Sequence, residues 1–411
     1  MSVPRLRFKD DGGRDFPAWE EKGLFEALTP EFREVVKPKG NYLSIGVRSH
    51  CKGTFQKPET DSSKNSMDKL FVVHEGDLIV NITFAWEGAI AIVKEEDHEG
   101  YVSHRFPTYR FKPNVTFTDY FQYVFLHPKF REALDLISPG GAGRNRVLSK
   151  KEFLKIAVNL PVLKEQIKIA NFLTAVDEKI HLLTQKHDLL TQHKKGVMQQ
   201  IFSHSKERSD STVSYPRGIS QKLRFKDDDD GKDFPEWEEK TLDEVCICLD
   251  NKRKPLNDAE RQTMQGEIPY WGANNIMDYV NDYIFDETIV LLAEDGGNFN
   301  EYKTRPIANI SHGKCWVNNH THVLKGKTNL SNEFLFYSLV HKNITGYVSG
   351  GTRAKLTKGE MLKILIDMPS PKEQNKIANF LTAVDEKITA TKAQLAAVKQ
   401  YKQGLLQQMF V

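Results

Sequence analysis

Two short patterns in the second half of the chain carry residue types that could support metal-dependent chemistry. Asp295, Glu301 and Lys303 loosely match the two carboxylates and the lysine of a metal-dependent nuclease. His320 and His322 would lie on one face of a strand, where two imidazoles can bind a metal ion. However, no third ligand lies nearby, and the Gly-Gly-Asn sequence after Asp295 is typical of a loop. Structural histidines and a loop are the simpler interpretations, and a nuclease remains an alternative.

Other patterns of catalytic residues do not stand out in the sequence. Gly326-Lys327-Thr328 lacks the upstream glycine of a phosphate-binding loop, because position 321 is Thr. No glycine-rich dinucleotide or methyl-donor fingerprint follows a strand pattern, and no Ser-His-Asp or Cys-His arrangement is evident. The 4 cysteines, without zinc or disulfide spacing, suggest a reducing compartment. Since no apolar run resembles a signal or a membrane span, we expect a cytoplasmic protein.

Basic, amide and aromatic residues that suit DNA binding occur in both halves. The net charge is only +3, so any basic surface must be local. The densest basic patch is at 251–254, and the amides at 274–275 could pair with adenine edges. Paired glycines followed by cations, near 140–151 and 350–358, resemble phosphate-facing loops, with solvated turns as the alternative. The predicted DNA-contacting residues are Arg48, Lys52, Thr83, Trp86, Arg105, Arg144, Asn145, Arg146, Lys252, Arg253, Lys254, Trp271, Asn274, Asn275, Asn298, Arg353 and Lys355.

A long repeated element has to position these residues. KEQIKIANFLTAVDEKI at 164–180 returns as KEQNKIANFLTAVDEKI at 372–388 with a single difference. Apolar residues then continue at alternating steps of four and three, which is the period of a coiled coil; two separate amphipathic helices are the alternative. Lys194 and Lys402 interrupt the two seams at matching positions, which would fix the register. The predicted helix–helix packing residues are Leu173, Val176, Ile180, Leu183, Leu190, Val197, Leu381, Val384, Ile388, Leu395, Val398 and Leu405.

Each half has the same order of segments. An LRFKDD leader ending in Phe-Pro-x-Trp precedes both halves, and we expect Trp19 and Trp237 to pack in cores rather than stack on bases. Ser370 followed by Pro371 and Glu373 predicts an N-cap, a first helical proline and a capping-box glutamate for the second helix. The predicted boundaries are globular domains at 1–160 and 223–369, long helices at 161–203 and 370–411, and a flexible Ser-rich linker at 204–222.

Local patterns predict a mixed α+β domain in each half. In the first domain, strand-like runs precede a helix predicted at 120–130, and in the second they precede a helix predicted at 332–341. The predicted strands lie at 69–73, 77–84, 88–93, 282–285, 288–293 and 315–317. The two domain sequences hardly resemble each other. We therefore expect the repeated segments to contact a shared partner or each other, and the two diverged domains to contact two different partners.

The order of leader, domain, P-x-x-KEQxKIAxFLxxxDEKI helix and linker, followed by the same order again, resembles the DNA-specificity subunit of type I restriction-modification systems. AEDGGNF at 293–299 and CWVNNHTHVL at 315–324 are similar to sequences in the target recognition domains of that family. The resemblance covers nearly the whole chain and is most specific in the helical repeats. It implies a non-catalytic chain with an α+β fold, in which two globular target recognition domains are joined by two long antiparallel coiled-coil helices in a pseudo-twofold internal repeat.

The same resemblance implies the partners. Each domain would read one half of a bipartite site in double-stranded DNA. The helices would set the spacing, each about 58 Å long from roughly 39 residues at about 1.5 Å, and would dock two methyltransferase subunits. S-adenosylmethionine, ATP and Mg²⁺ are expected on methyltransferase and restriction subunits rather than on this chain. The alternatives are the metal-dependent nuclease and a coiled-coil scaffold that binds only proteins.

Overall fold

A computed structural model describes residues 4–141, 146–202, 223–350 and 354–410. The predicted linker and the candidate residues Arg144, Asn145 and Arg353 lie outside these described residues. The chain divides into two units: unit 1 comprises residues 1–184 and 394–411, and unit 2 comprises residues 185–393. Each unit therefore contains one globular domain together with a segment of each long helix.

The domain of unit 1 combines β-sheets with short helices. Its strands are β1 (Glu20–Gly23), β2 (Leu28–Glu31), β3 (Glu34–Val36), β4 (Tyr42–Val47), β5 (Thr54–Thr60), β6 (Lys69–Val72), β7 (Leu78–Val80), β8 (Ile90–Ile92), β9 (Tyr101–Val102), β10 (Thr108–Phe111) and β11 (Ala157–Leu160). Its helices are α1 (Leu24–Ala27), α2 (Thr118–Leu126), α3 (Pro128–Leu136) and α4 (Lys150–Phe153). One sheet has the order β2-β10-β7-β8, a second has β3-β6-β9-β4-β5, and β1 pairs with β11.

Helix α2 packs in the core of this domain and ends before a proline. Tyr120, Phe121 and Phe125 on α2 are at most 2% exposed. The prediction of one helix over 120–130 is wrong, because α2 and α3 are separated at His127. A residue before proline disfavours the helical region, and His127 accordingly adopts φ −67° and ψ 135°. Pro128 then begins α3, where its missing N–H costs no helical hydrogen bond.

Unit 2 repeats this arrangement after the long helix α5 (Leu163–Phe202). Its strands are β12 (Glu238–Thr241), β13 (Cys246–Cys248), β14 (Gln265–Trp271), β15 (Ile276–Val280), β16 (Phe285–Asp286), β17 (Ile289–Ala293), β18 (Ala308–Ser311), β19 (Lys314–Val317), β20 (Thr321–Gly326) and β21 (Leu365–Met368). Its helices are α6 (Leu242–Val245), α7 (Asp258–Thr263), α8 (Asn332–Leu339) and α9 (Lys358–Leu362), and the second long helix is α10 (Pro371–Met409).

The two domains share the pairing of the leader strand and the strand order of one sheet, although their sequences differ and their second sheets have five and four strands. In each, the leader strand pairs antiparallel with the strand that precedes a long helix, as β1 with β11 and β12 with β21. The central sheet of unit 2, β13-β20-β17-β18, has the same order of corresponding strands as β2-β10-β7-β8. Strands overlap every predicted run, and α8 lies within the helix predicted at 332–341. The α+β prediction is confirmed.

The long helices run antiparallel to each other within each unit. In unit 2, Lys194 of α5 pairs with Asp385 of α10 at 2.6 Å, and an apolar cluster joins later residues of α5 to earlier residues of α10. In unit 1, Lys402 of α10 pairs with Asp177 of α5, and the apolar cluster again lies later in the helix that carries the lysine. Both lysines that interrupt the seams therefore have a carboxylate partner on the opposite helix.

The predicted packing residues lie on the covered side of the helices. Those that are buried are Leu173, Leu183, Val197, Leu381, Val384 and Leu405. Those that are partly exposed are Val176, Ile180, Leu190, Ile388, Leu395 and Val398. Among the described residues, no helix is both long enough and apolar enough to cross a membrane.

Candidate nucleic-acid interface

Four predicted DNA-contacting residues of unit 1 form one cluster beside strand β7. Arg105 donates to the Thr83 hydroxyl at 3.1 Å, and the Trp86 indole N–H donates to the Thr83 carbonyl at 3.2 Å. The Arg146 guanidinium lies 4.8 Å from the centre of the Trp86 ring and pairs with Asp135 at 2.6 Å. The Arg146 guanidinium also donates to the carbonyls of Ser138 and Asp135, so it holds the Trp86 ring, and Arg105 is the exposed cation beside that ring. This combination suits contacts to phosphates and bases.

The loop that carries Arg48 and Lys52 is tied to the same region. The backbone N–H groups of His50 and Cys51 donate to the carbonyls of Glu87 and Gly88, both at 2.8 Å. His50 and Cys51 have positive φ angles of 61° and 55°, which turn the loop sharply. Lys52 is exposed at the tip, whereas Arg48 donates to the Thr54 carbonyl and is committed to the loop.

Three loops of unit 2 converge around the predicted amide residues. Asn274 donates to the Gly296 carbonyl at 2.9 Å, and Thr321 donates to the Gly272 carbonyl at 2.7 Å. The N–H of Glu294 donates to the carbonyl of His320 at 2.9 Å, which joins the second loop to the third. These contacts place 272–275, 294–298 and 318–321 side by side.

The predicted residues in these loops differ in how free they are. Asn275 is exposed, whereas the Asn298 amide donates to the Pro306 carbonyl at 2.9 Å. The Asn274 Oδ1 atom is buried and finds no hydrogen-bond partner among the described residues. The Trp271 indole N–H donates to Ser311 at 3.1 Å, which holds this ring against the domain. Asn275 is therefore the amide best placed for an external partner.

A charged network lies beneath the basic patch of unit 2. Arg253, only 14% exposed, donates to Glu294 at 2.6 Å and to the Thr321 carbonyl at 2.8 Å. Its guanidinium also lies 3.3 Å from Asp250, and Lys355 reaches Glu294 at 3.1 Å. Arg253 therefore holds loops of the domain together and is not free for phosphates in this arrangement. Lys355, which is half exposed, remains available at the surface.

Hydrogen-bond partners lower the pKa of two carboxylates in this network, Asp250 and Glu294. Burial opposes the ionisation of Asp250, but hydrogen bonds from His322 and from the Val323 N–H outweigh it and lower its pKa. Burial likewise opposes the ionisation of Glu294, and the bonds from Arg253 and Lys355 lower its pKa. Hydrogen bonds thus hold both groups as carboxylates, and the positive charge of Arg253 adds to this effect at each of them.

The exposed lysines on either side of Arg253 point to aromatic rings. The Lys252 Nζ lies 6.0 Å from the Phe285 ring centre, and the Lys254 Nζ lies 5.7 Å from that of Trp316. Trp316 in turn donates to the Lys254 carbonyl at 2.7 Å. Both ammonium groups are solvent-accessible, so they are the free cations of the predicted patch.

Asp250, Glu294 and His322 form the one group of potential metal ligands found in the described part of the chain. The arrangement does not favour a metal, because Arg253 contacts both carboxylates. Each imidazole nitrogen of His322 also has a partner, Asp250 at 2.7 Å and the Leu356 carbonyl at 2.8 Å. Arg253 thus provides the positive charge next to Asp250 and Glu294 that a metal ion would otherwise provide.

The residues of the nuclease alternative are engaged with different partners. His320 contacts Asp295 at 2.6 Å, so the two predicted histidine ligands bind separate carboxylates. Glu301 pairs with Arg305 at 2.8 Å, and the Lys303 Nζ lies over the Tyr302 ring. Asp295, Glu301 and Lys303 therefore contact separate partners and do not surround one metal position.

Glu165 in the repeated sequence connects the first leader to its long helix. Arg7 donates to the two Glu165 carboxylate oxygens at 3.0 and 2.7 Å, and the Trp19 indole N–H donates at 3.1 Å. Glu165 is fully buried, and its hydrogen bond raises the pKa of Arg7. Trp19 is 7% exposed, in agreement with a packing role. The neighbouring Gln166 donates to the Pro161 carbonyl at 2.9 Å.

Glu373 makes the same contacts in unit 2. Arg224 donates to its carboxylate at 3.3 and 3.0 Å, and the Trp237 indole N–H donates at 2.9 Å. Ser370 accepts from the Glu373 N–H at 3.4 Å, so it acts as the N-cap. The predicted capping-box role of the Glu373 side chain is wrong, because its carboxylate binds the leader. Sequence reasoning missed these glutamates, although their identity in both repeats was the available signal.

Comparisons with known proteins agree with this architecture. The chain matches the family described as type I restriction modification DNA specificity domain over residues 36–192 and again over residues 235–400. A candidate type I restriction enzyme specificity subunit of Haemophilus influenzae is 41% identical over 150 residues, which span 36% of this chain and 37% of that protein. The MjaVIII type I restriction enzyme specificity subunit of Methanocaldococcus jannaschii is 22% identical over 94% of this chain and 93% of its own length.

A solved structure shows the same fold. The crystal structure of the S subunit of the type I restriction-modification system from M. genitalium matches with a TM-score of 0.60 and 15% identity, over 100% of this chain and 99% of the other. The chain therefore belongs to the family of type I restriction-modification DNA specificity proteins, and it carries two specificity domains.

Proposed function

We propose that this chain is the sequence-reading subunit of a type I restriction-modification complex and that each domain reads one half of a bipartite site in double-stranded DNA. The observation that carries the proposal is the double match to the specificity domain, with each match ending in a long helix that contains the nearly identical segment 164–180 or 372–388. A duplicated frame with two diverged domains is suited to a target whose halves differ in sequence. We expect catalysis to come from partner subunits rather than from this chain.

The chemistry of the two candidate surfaces supports different half-sites. In unit 1, Lys52 and Arg105 offer exposed cations, and Trp86, held by the Arg146 guanidinium, offers a planar ring. Such groups bind phosphates and can pair with guanine, which presents two acceptors in the major groove. In unit 2, the exposed amide of Asn275 lies on a loop beside 294–298, and an amide can form two hydrogen bonds with adenine.

The cations of unit 2 would contribute affinity rather than sequence discrimination. Lys252, Lys254 and Lys355 have exposed or half-exposed ammonium groups, which can neutralise phosphates without reading bases. Because the net charge of the chain is only +3, we expect partner subunits to share in holding the DNA.

The expected partners are two methyltransferase subunits and restriction subunits. S-adenosylmethionine would bind the methyltransferase subunits, whereas ATP and Mg²⁺ would serve the restriction subunits. The repeated faces of α5 and α10 support docking of two equal subunits, because equal sequences recognise equal partners. The helices would also hold the two domains at a fixed separation.

The test is to express the chain with its methyltransferase subunits and to determine which genomic bases become methylated. The expected result is one asymmetric consensus with two specific parts separated by a gap of fixed length. The matched variant Asn275→Ala should relax one part only, while Arg105→Ala should affect the other part. A consensus with a single part, or none, would refute the proposal. Cleavage of DNA by the purified chain with Mg²⁺ would instead support the nuclease alternative.

A further inference from the structure

A tyrosine of the unit 2 domain contacts both long helices at one point. The Tyr337 hydroxyl on α8 donates to Asp385 of α10 at 2.8 Å and lies 3.3 Å from the Thr382 hydroxyl. Lys194 of α5 donates to the two oxygens of Asp385 at 2.6 and 2.7 Å. Its Nζ also lies 5.4 Å from the centre of the Tyr337 ring. One small group of atoms thus joins the domain to each helix.

Unit 1 contains the same group built from different parts of the chain. The Tyr123 hydroxyl on α2 donates to Asp177 of α5 at 3.0 Å and lies 3.2 Å from the Thr174 hydroxyl. Lys402 of α10 pairs with Asp177, and its Nζ lies 5.5 Å from the Tyr123 ring centre. Here α5 supplies the aspartate and α10 the lysine, which reverses their roles in unit 2. The arrangement is therefore present twice, with each contact repeated.

The environment of the two tyrosines makes these contacts strong. Tyr123 and Tyr337 are 2% and 4% exposed, so an unbonded hydroxyl there would be costly. Burial raises the pKa of both hydroxyls, which keeps them protonated as donors. Each donates to an ionised carboxylate that also receives a lysine, and hydrogen bonds to charged groups are stronger than neutral ones.

We propose that Tyr123 and Tyr337 are positioning residues that fix the angle of each recognition domain on the helices of its own unit, and thereby determine how strictly the complex reads the gap in its target. The inference depends on the proposed function, because it concerns the bipartite site. One additional base pair moves a half-site by about 3.4 Å and rotates it by about 35° around the duplex. A domain held at a fixed angle rejects that displacement, whereas a domain free to tilt accommodates part of it.

The chain offers a matched control on the same helix. Tyr120 lies three residues before Tyr123, is fully buried, and its hydroxyl has no hydrogen-bond partner among the described residues. Tyr120→Phe removes a hydroxyl from the same core without removing a hydrogen bond to the long helices. Tyr123→Phe and Tyr337→Phe each remove the hydroxyl that reaches an aspartate.

The experiment uses the complex of this chain with its methyltransferase subunits and duplexes that carry both half-sites, with the gap shortened or lengthened by one and two base pairs. The measured quantity is the ratio of the affinity for the natural gap to the affinity for each altered gap. We expect this ratio to fall about threefold in each single variant and about tenfold in the double variant, because each substitution removes one hydrogen bond to a carboxylate and only part of its free energy resists tilting of the domain. Tyr120→Phe should retain the wild-type ratio.

The ratio separates positioning from a purely structural role. A loss of stability alone would weaken binding to every gap length by the same factor, and this uniform result would overturn the inference. An unchanged ratio in either single variant would overturn it as well, which keeps the test valid even if the double variant does not assemble. If the wild-type complex showed no two-part target, the proposed function would fail instead.

Discussion

Replacement of Glu165 by Gln tests whether a buried carboxylate holds the first leader on its helix. The carboxylate has no solvent exposure and accepts three hydrogen bonds from Arg7 and Trp19. Glutamine keeps the size of the side chain, but its amide group places donors opposite the donors of Arg7. The Arg7 side chain is 19% exposed and would lose its charged partner.

The magnitude follows from the burial of the pair. Removing one partner of a buried ion pair costs about 3–5 kcal/mol, because the other charge is left uncompensated. Arg7 retains hydrogen bonds to the carbonyls of Phe16 and Pro17 at 3.3 and 2.6 Å, which favours the lower end of that range. We therefore expect a loss of about 3 kcal/mol, equivalent to about a hundredfold increase in local opening.

Hydrogen exchange followed by mass spectrometry can assign this loss to one unit. Glu165→Gln should accelerate exchange in the leader strand β1 and in β11, while the peptides of unit 2 remain as in the wild type. The equivalent variant Glu373→Gln should give the reverse pattern, with faster exchange in β12 and β21. An acceleration of less than about fivefold in β1 would refute the reasoning, because the carboxylate would then contribute little over a neutral amide.

Three further predictions follow from the described contacts. The pKa of Asp250 lies below its usual 3.8, so its stabilising effect is present above that pH and is lost as the pH falls; urea unfolding at pH 6 and pH 3 should show a decline for unit 2 that is smaller in Asp250→Asn. Lys355→Met should weaken DNA binding by the complex and reduce the slope of log K against log salt by about 0.9, whereas Arg253→Met should mainly destabilise the domain, by about 3 kcal/mol in urea unfolding. Leu173→Asp places a charge at a fully buried site and should abolish assembly with the methyltransferase subunits in size-exclusion chromatography. Leu182→Asp is the control, because Leu182 is 53% exposed on the same helix; this variant should unfold at the wild-type urea concentration.

Features encoded by local periodicity or by repetition could be predicted from the sequence. The long helices follow from the repeat and its apolar spacing, and α10 begins at Pro371 because Ser370 and the proline define its first turn. The α+β class and the family resemblance were confirmed in the same way, since they depend on patterns within contiguous segments.

Features that depend on distant partners could not be predicted. Arg253 belongs to a basic run, and nothing local reveals that Glu294, 41 residues later, would bury its guanidinium. Glu373 satisfies the local capping pattern, but Arg224, 149 residues earlier, takes its carboxylate. For the base-reading residues the sequence offers residue types alone, and Arg105 and Asn275 remain predictions until a target is known.

The participation of both long helices in each unit has a consequence for folding during synthesis. The core of unit 1 includes Leu405, Met409 and Phe410, and the Phe410 ring lies 6.4 Å from that of Trp19 and 5.6 Å from that of Tyr120. Of the two domains, the one translated first therefore completes its core only after residues almost 400 positions later have been synthesised. Unit 2, which ends at residue 393, has all its parts earlier. The order of translation is thus the opposite of the order in which the two cores can be completed.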